Sequence, residues 1–186
     1  MSREQFIEFV QGAIVSLPQH LKATLRLVDD PNIPDEGRVI AAGALIHWLS
    51  GSNTIPGLRG GVLSYVDDVL VLRLAYARIE QIAPEAMAKH RADWPEVFGQ
   101  LTEEVELVRS YLGKGVRVLD RAVDRIGQLK HQGRSPAQCV SDEDSSTMLY
   151  EAVQAELVEL EPEEDDVGRA LKQLDPVLDG LRQRSG

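Results

Sequence analysis

Two adjacent carboxylates, Asp67 and Asp68, open an otherwise apolar run (VLSYVDDVLVLRLAY), and a histidine, His47, stands beside Trp48 in another (VIAAGALIHWL). Carboxylates and an imidazole are the groups that acid–base chemistry and divalent cations both use. Neighbouring residues on a helix point about 100° apart, so Asp67 and Asp68 cannot chelate an ion by themselves. The expectation is therefore structural. At least one of the pair faces the interior, accepts amide hydrogen bonds at the helix start and pairs with Arg38, Arg59 or Arg73. His47 has no His/Cys/Asp cluster at metal-ligand spacing around it and reads as a hydrogen-bonded core histidine. A metal-binding or hydrolytic site built from Asp67, Asp68 and His47 is the alternative.

The other reactive side chains are more scattered. His20, His90 and His131 are isolated, and Cys139, the one cysteine, lies in a polar stretch with no base near it in sequence. It reads as an exposed, unreactive thiol, and one cysteine excludes a disulfide scaffold. Ser50, Ser52 and Thr54 accompany glycines, but no Gly-x-x-x-x-Gly-Lys-Ser/Thr pattern is present and no strand precedes them. Lys114, Arg117, Arg121 and Arg125 form a basic stripe interleaved with Asp120 and Asp124, the pattern of a solvated, salt-bridged helix face.

The remaining signal is acidic. Within 141–166 there are 11 Asp and Glu and no Lys or Arg; removing them from a chain of formal net charge −10 leaves a nearly neutral body. The same stretch holds the apolar positions Leu149, Val153, Leu157 and Leu160 at helical spacing, with Glu156 and Glu159 beside them. Disordered acidic chains are poor in large apolar residues. The sequence thus predicts an amphipathic helix that docks on a protein partner, or on the chain's own Lys114–Arg125 stripe as an internal cover.

Composition bounds the class. Of 186 residues, 43% are hydrophobic and 27% charged, as in ordinary globular proteins. An excess of 30 acids over 20 Lys and Arg argues against nucleic acid as a partner, since such binding neutralises phosphates. The N-terminus carries charges among helically spaced apolar residues, unlike a secretory signal. The most apolar run, 39–49, is shorter than the ~20 residues a bilayer requires. The expected location is cytoplasmic, and membrane contact is not favoured.

The elements that must position these residues are helices throughout. Ser2 and Gln5 form a capping box ahead of Phe6, Val10, Ala13, Ile14 and Leu17. Asp29-Asp30-Pro31-Asn32 breaks the pattern, and an apolar helix follows to Leu49. The segment 50–61 (SGSNTIPGLRGG) must be a loop, ordered because Ile55, Pro56 and Leu58 can pin it to its flanking helices. A second apolar helix spans about 62–82. From Trp94 onward, Phe98, Val105, Leu112, Leu119 and Ile126 recur every seven residues, which predicts one long helix and leaves a homodimer open. Its apolar face is too wide for a coiled-coil seam and suits a bundle, with Gly113 and Gly115 placing a bend. No segment alternates convincingly as a strand.

The segment 43–79, with Ile55-Pro56, the glycines that follow and Asp67-Asp68 ahead of Val69-Leu70-Val71-Leu72, resembles the YkvA-like bacterial family of domains of unknown function. The resemblance covers about a fifth of the chain. It implies an apolar helix, a Pro-x-Asp-x-Ile-Pro-Asp loop and a second helix opened by Asp-Asp. This chain has Gly51, Asn53 and Gly57 where the family has the first proline and the two loop aspartates. If the family's acids form a polar or metal site, only its Asp67–Asp68 half is retained. The family implies no common activity.

The sequence therefore predicts an all-α, irregular helical bundle with one long helix and acidic C-terminal helices. The body is 1–130 and includes the segment 43–79; 131–144 is a mobile linker and 145–186 carries the acidic amphipathic helices. The expected role is that of a non-enzymatic interaction or regulatory protein without a cofactor. The alternatives are the Asp67/Asp68/His47 site and a peripheral membrane protein.

Overall fold

The computed structural model describes residues 2–58 and 60–184. The fold is all-α. Helix α1 (Arg3–Val15) starts with the Ser2–Gln5 capping box and runs into α2 (Leu17–Asp29), with Pro18 in the first turn where its missing N–H costs nothing. Helices α3 (Asp35–Ser50) and α4 (Ser64–Ile82) are the two apolar runs. Around them lie α5 (Pro84–Asp93), α6 (Pro95–Phe98), α7 (Leu101–Leu112), α8 (Val116–Asp124), α9 (Pro136–Ser141), α10 (Glu143–Glu159), α11 (Glu164–Leu171) and α12 (Asp175–Arg184).

Apolar residues on every side of a helix require neighbours on every side. Accordingly α3 packs against α2, α4, α9, α10 and the 3₁₀ turn Ile126–Gln128, while α4 packs against α1, α3, α5, α7 and α8. One contact fixes its residue type. A Cβ built on Gly43 of α3 would stand 2.8 Å from the Ile126 carbonyl oxygen, so only glycine lets that turn approach.

The heptad stretch is the expected long helix, bent and interrupted by short turns. It breaks after α6, at the 3₁₀ turn Gly113–Gly115, where Gly113 has φ +55°, and again before Ile126. The repeat survives because successive segments keep their apolar face on the same core.

The stretch 131–144, expected to be a linker, forms α9 behind a Ser135–Gln138 capping box. Helix α9 packs on α3, and Cys139 is buried there, against the expectation of an exposed thiol. Burial pushes the Cys139 thiol upward, in keeping with an inert, packed cysteine. One apolar cluster continues from Phe6 through Cys139 to Leu149, Val153, Leu160, Leu171, Leu178 and Leu181. Helix α12 is further held by Arg182, which lies over the Tyr111 ring at 4.4 Å and donates to the Tyr111 carbonyl.

Candidate metal centre

His47 lies in the last turn of α3 and Asp67 in the first turn of α4, with Asp68 next to it. Between them, the described residues 51–58 and 60–61 form a turn: Ile55 and Leu58 are buried, Gly51, Gly57, Gly60 and Gly61 take positive φ, and Asn53 donates to the Leu58 carbonyl. The turn brings the end of α3 against the start of α4. The polar residue that interrupts one apolar helix thereby meets the pair that interrupts the other.

His47 Nε2 lies 2.7 Å from Asp67 Oδ2 and 3.8 Å from Asp68 Oδ1. The second Asp67 oxygen accepts the Ile55 amide hydrogen at 2.7 Å. Asp67 is therefore fully engaged, and it ties α3, the loop and α4 together. Asp68 is not. It is 5% exposed, and its Oδ1 has no hydrogen-bond partner among the described residues. Burial first, and then the charge of Asp67, pushes the Asp68 carboxyl well above the ordinary carboxylate range.

The expected arginine partners are engaged elsewhere. Arg38 donates to the Val28 carbonyl and to Asp35, and Arg73 faces Glu104 and His20; Arg59 lies outside the described residues. Helix α3 ends in a histidine rather than an arginine at this point, and His47 takes the place the arginines were expected to fill. One donor atom from each of His47, Asp67 and Asp68 lies within 4.8 Å of the others. Ligands of one first-row ion stand about 2.0–2.2 Å from it, so small side-chain rotations would bring all three onto a common ion.

A cleft of about 250 Å³ lies alongside, lined by Trp48, Tyr65, Glu156, Glu159 and Leu160 among others. Tyr65 is held above its ordinary range by burial first, then by the charges of Asp68 and Glu156. Glu156 and Glu159, expected as part of a partner-docking face, line this cleft from α10.

The rest of that docking face is turned inward. Leu149, Val153 and Leu160 are buried in the chain's own core, and Leu157 is packed against it. Their helical spacing is satisfied by α2, α3 and α9, not by a free surface. The internal-cover arrangement is not formed either. Lys114, Arg117, Arg121 and Arg125 are all exposed, and α10 and α11 pack on other elements. Asp120 and Asp124 pair with Arg109 and Arg78 instead of with the stripe.

No described helix is long and apolar enough to cross a membrane. Searches against protein-family models, curated proteins and solved structures give no match for this chain.

Proposed function

We propose that the protein binds a divalent first-row cation, zinc or manganese, through His47, Asp67 and Asp68, and that the ion locks the loop 51–61 between α3 and α4. The observation that carries this reading is the bare oxygen of Asp68. A buried acceptor without a donor is costly, and a second carboxylate beside it raises the cost; a cation answers both. An imidazole among the donors favours a transition ion over magnesium or calcium, which prefer all-oxygen sites. Three protein donors leave coordination positions for water. The neighbouring cleft carries Glu156 and Glu159, whose charges favour a cation in its vicinity.

Metal analysis of purified protein, together with thermal melts in EDTA, Zn²⁺ and Mn²⁺, tests the proposal. The expected result is close to one ion per chain and a rise in melting temperature with metal that His47→Gln and Asp68→Asn both abolish. An unchanged melt with either ion at about 100-fold the concentration expected to saturate a micromolar site would overturn it.

A second reading keeps a protein partner. Tyr150 and Val158 are 50% and 74% exposed, one helical face apart from the buried stripe on acidic α10. Exposed large apolar residues on an acidic helix suit a partner surface with apolar contacts and a basic rim. Crosslinking from α10 in cells, compared between wild type and Val158→Asp, tests it: adducts lost in the variant support it, and identical patterns contradict it.

A further inference from the structure

Helices α1, α2, α4, α6 and α7 border an open cavity of about 450 Å³ whose lining includes Glu8, His20, Arg73, Glu96, Glu103 and Glu104. At its base two polar side chains are almost wholly buried: Arg73 is 1% exposed and His20 also 1%. Arg73 Nε donates to Glu104 at 2.5 Å. Its two terminal nitrogens stand 3.1 Å from His20 Nδ1 and 3.1 Å from His20 Nε2.

Both of those contacts cannot be hydrogen bonds. Burial first, and then the Arg73 charge, holds the His20 imidazole well below its ordinary range, so it is neutral. A neutral imidazole has one bare nitrogen and one N–H, and a guanidinium has only donors. One ring nitrogen accepts from Arg73. The other carries an N–H that confronts a second donor. Among the described residues, this N–H has no acceptor, and guanidinium hydrogens of Arg73 are left over as well. The buried donors of Arg73 and His20 outnumber the acceptors they meet.

The rim has the opposite character. Glu8, Glu96 and Glu103 are exposed, and none of them has a cationic partner among the described residues. A simple anion would meet these carboxylates on entry; a simple cation would meet Arg73 at the base. Gly12 lines the same cavity from α1. It sits within α1, where glycine costs helix stability, yet an added Cβ would meet nothing within 4 Å. Gly12 is exposed, so a longer side chain there has room to reach over the cavity mouth.

We propose that this cavity binds a small zwitterion of the α-amino acid class, its carboxylate accepting from Arg73 and His20 and its ammonium facing Glu8 and Glu103. Phe9 and Leu107 on the lining offer apolar contact to a side chain. The cavity volume is in the range of small-ligand pockets. Charge-assisted bonds at both ends give selectivity for molecules that carry both groups.

The test uses the full chain and ligand-observed NMR with each standard L-amino acid at about 10 mM. The best binder is then compared with its deaminated acid and its decarboxylated amine. The expected result is that at least one amino acid binds and that each truncated analogue binds at least about tenfold more weakly, the effect of losing one charge-assisted contact. Gly12→Leu, which fills the open space and favours helix, is expected to melt no lower than wild type and to abolish binding. Glu8→Gln with Glu103→Gln, both at exposed positions, is expected to weaken binding while leaving the fold intact. Absence of binding by every amino acid, equal binding by the deaminated acid, or undiminished binding to a folded Gly12→Leu would each overturn the proposal.

Discussion

Replacing Asp68 by Asn is expected to stabilise the metal-free protein and to destabilise the metal-loaded one relative to wild type. The side chain is buried, its Oδ1 lacks a donor, and Asp67 lies next to it. Leaving a buried acceptor unsatisfied costs about 1–3 kcal/mol, more when it is charged. Asn keeps the shape and removes the cost of ionising a buried carboxyl beside Asp67. A net gain of about 1–2 kcal/mol in EDTA at neutral pH follows. For a chain of 186 residues that corresponds to roughly 2–8 °C in melting temperature. A cation at 100 times its dissociation constant adds about 2.7 kcal/mol to a protein that binds it, and Asn lacks the charge that holds it. Melts by circular dichroism in EDTA and in Zn²⁺ or Mn²⁺ should therefore show the two proteins exchanging order. If Asp68→Asn melts lower than wild type in EDTA, the bare-oxygen argument is wrong. If metal raises both melts equally, the ion binds elsewhere.

The adjacent substitution should behave in the opposite sense. Asp67→Asn weakens bonds to both His47 and the Ile55 amide, and is expected to cost about 3 kcal/mol by denaturant titration. It should also speed amide exchange through the loop 51–61, and protection equal to wild type there would count against the tie. Gly43→Ala forces a Cβ to 2.8 Å from the Ile126 carbonyl; a loss of about 1–3 kcal/mol is expected, and a neutral melt would show that the Ile126 turn can move aside. His20 supplies a pH dependence. Its folded-state value is held well below 6.5 by burial and Arg73, so below about pH 6.5 the unfolded chain takes up a proton that the folded chain refuses. Stability should then fall with decreasing pH by up to about 1.4 kcal/mol per unit. Asp68, raised in the fold, acts in the opposite direction above pH 3.8, so the His20 contribution is read as the difference between wild type and His20→Gln at pH 7 and pH 5. An identical difference at both values would show that His20 titrates normally.

The all-helical fold was legible because its signals are local. The Ser2–Gln5 box, the glycines of 51–61 and the long apolar runs of α3 and α4 each determine their own backbone. The docking of Ile55 and Leu58 was legible too, since neither has reason to be apolar in a free loop. What escaped the sequence depends on contacts between distant segments. Helix α9 is too short and polar to announce itself, and Cys139 is buried only because α3 offers a face to it. The apolar stripe of α10 was correctly an amphipathic pattern, but periodicity does not say whether its complement belongs to another molecule or to α2, α3 and α9. The His47–Asp67 contact spans twenty positions across a loop, so spacing rules for metal ligands within one helix do not find it. One signal was available: each of the two most apolar helices carries a polar residue near the end that meets the same loop. Arg73 and His20 could have been found likewise, as a charge within LVLRLAY and a histidine on the apolar side of α2.

The most direct measurement of the central claim is an anomalous difference map from crystals grown with Zn²⁺ or Mn²⁺. The account predicts a peak between His47 Nε2 and the carboxylates of Asp67 and Asp68, at about 2.0–2.2 Å from each. A structure in which those three side chains keep their present arrangement with no peak between them, at millimolar metal, would contradict it.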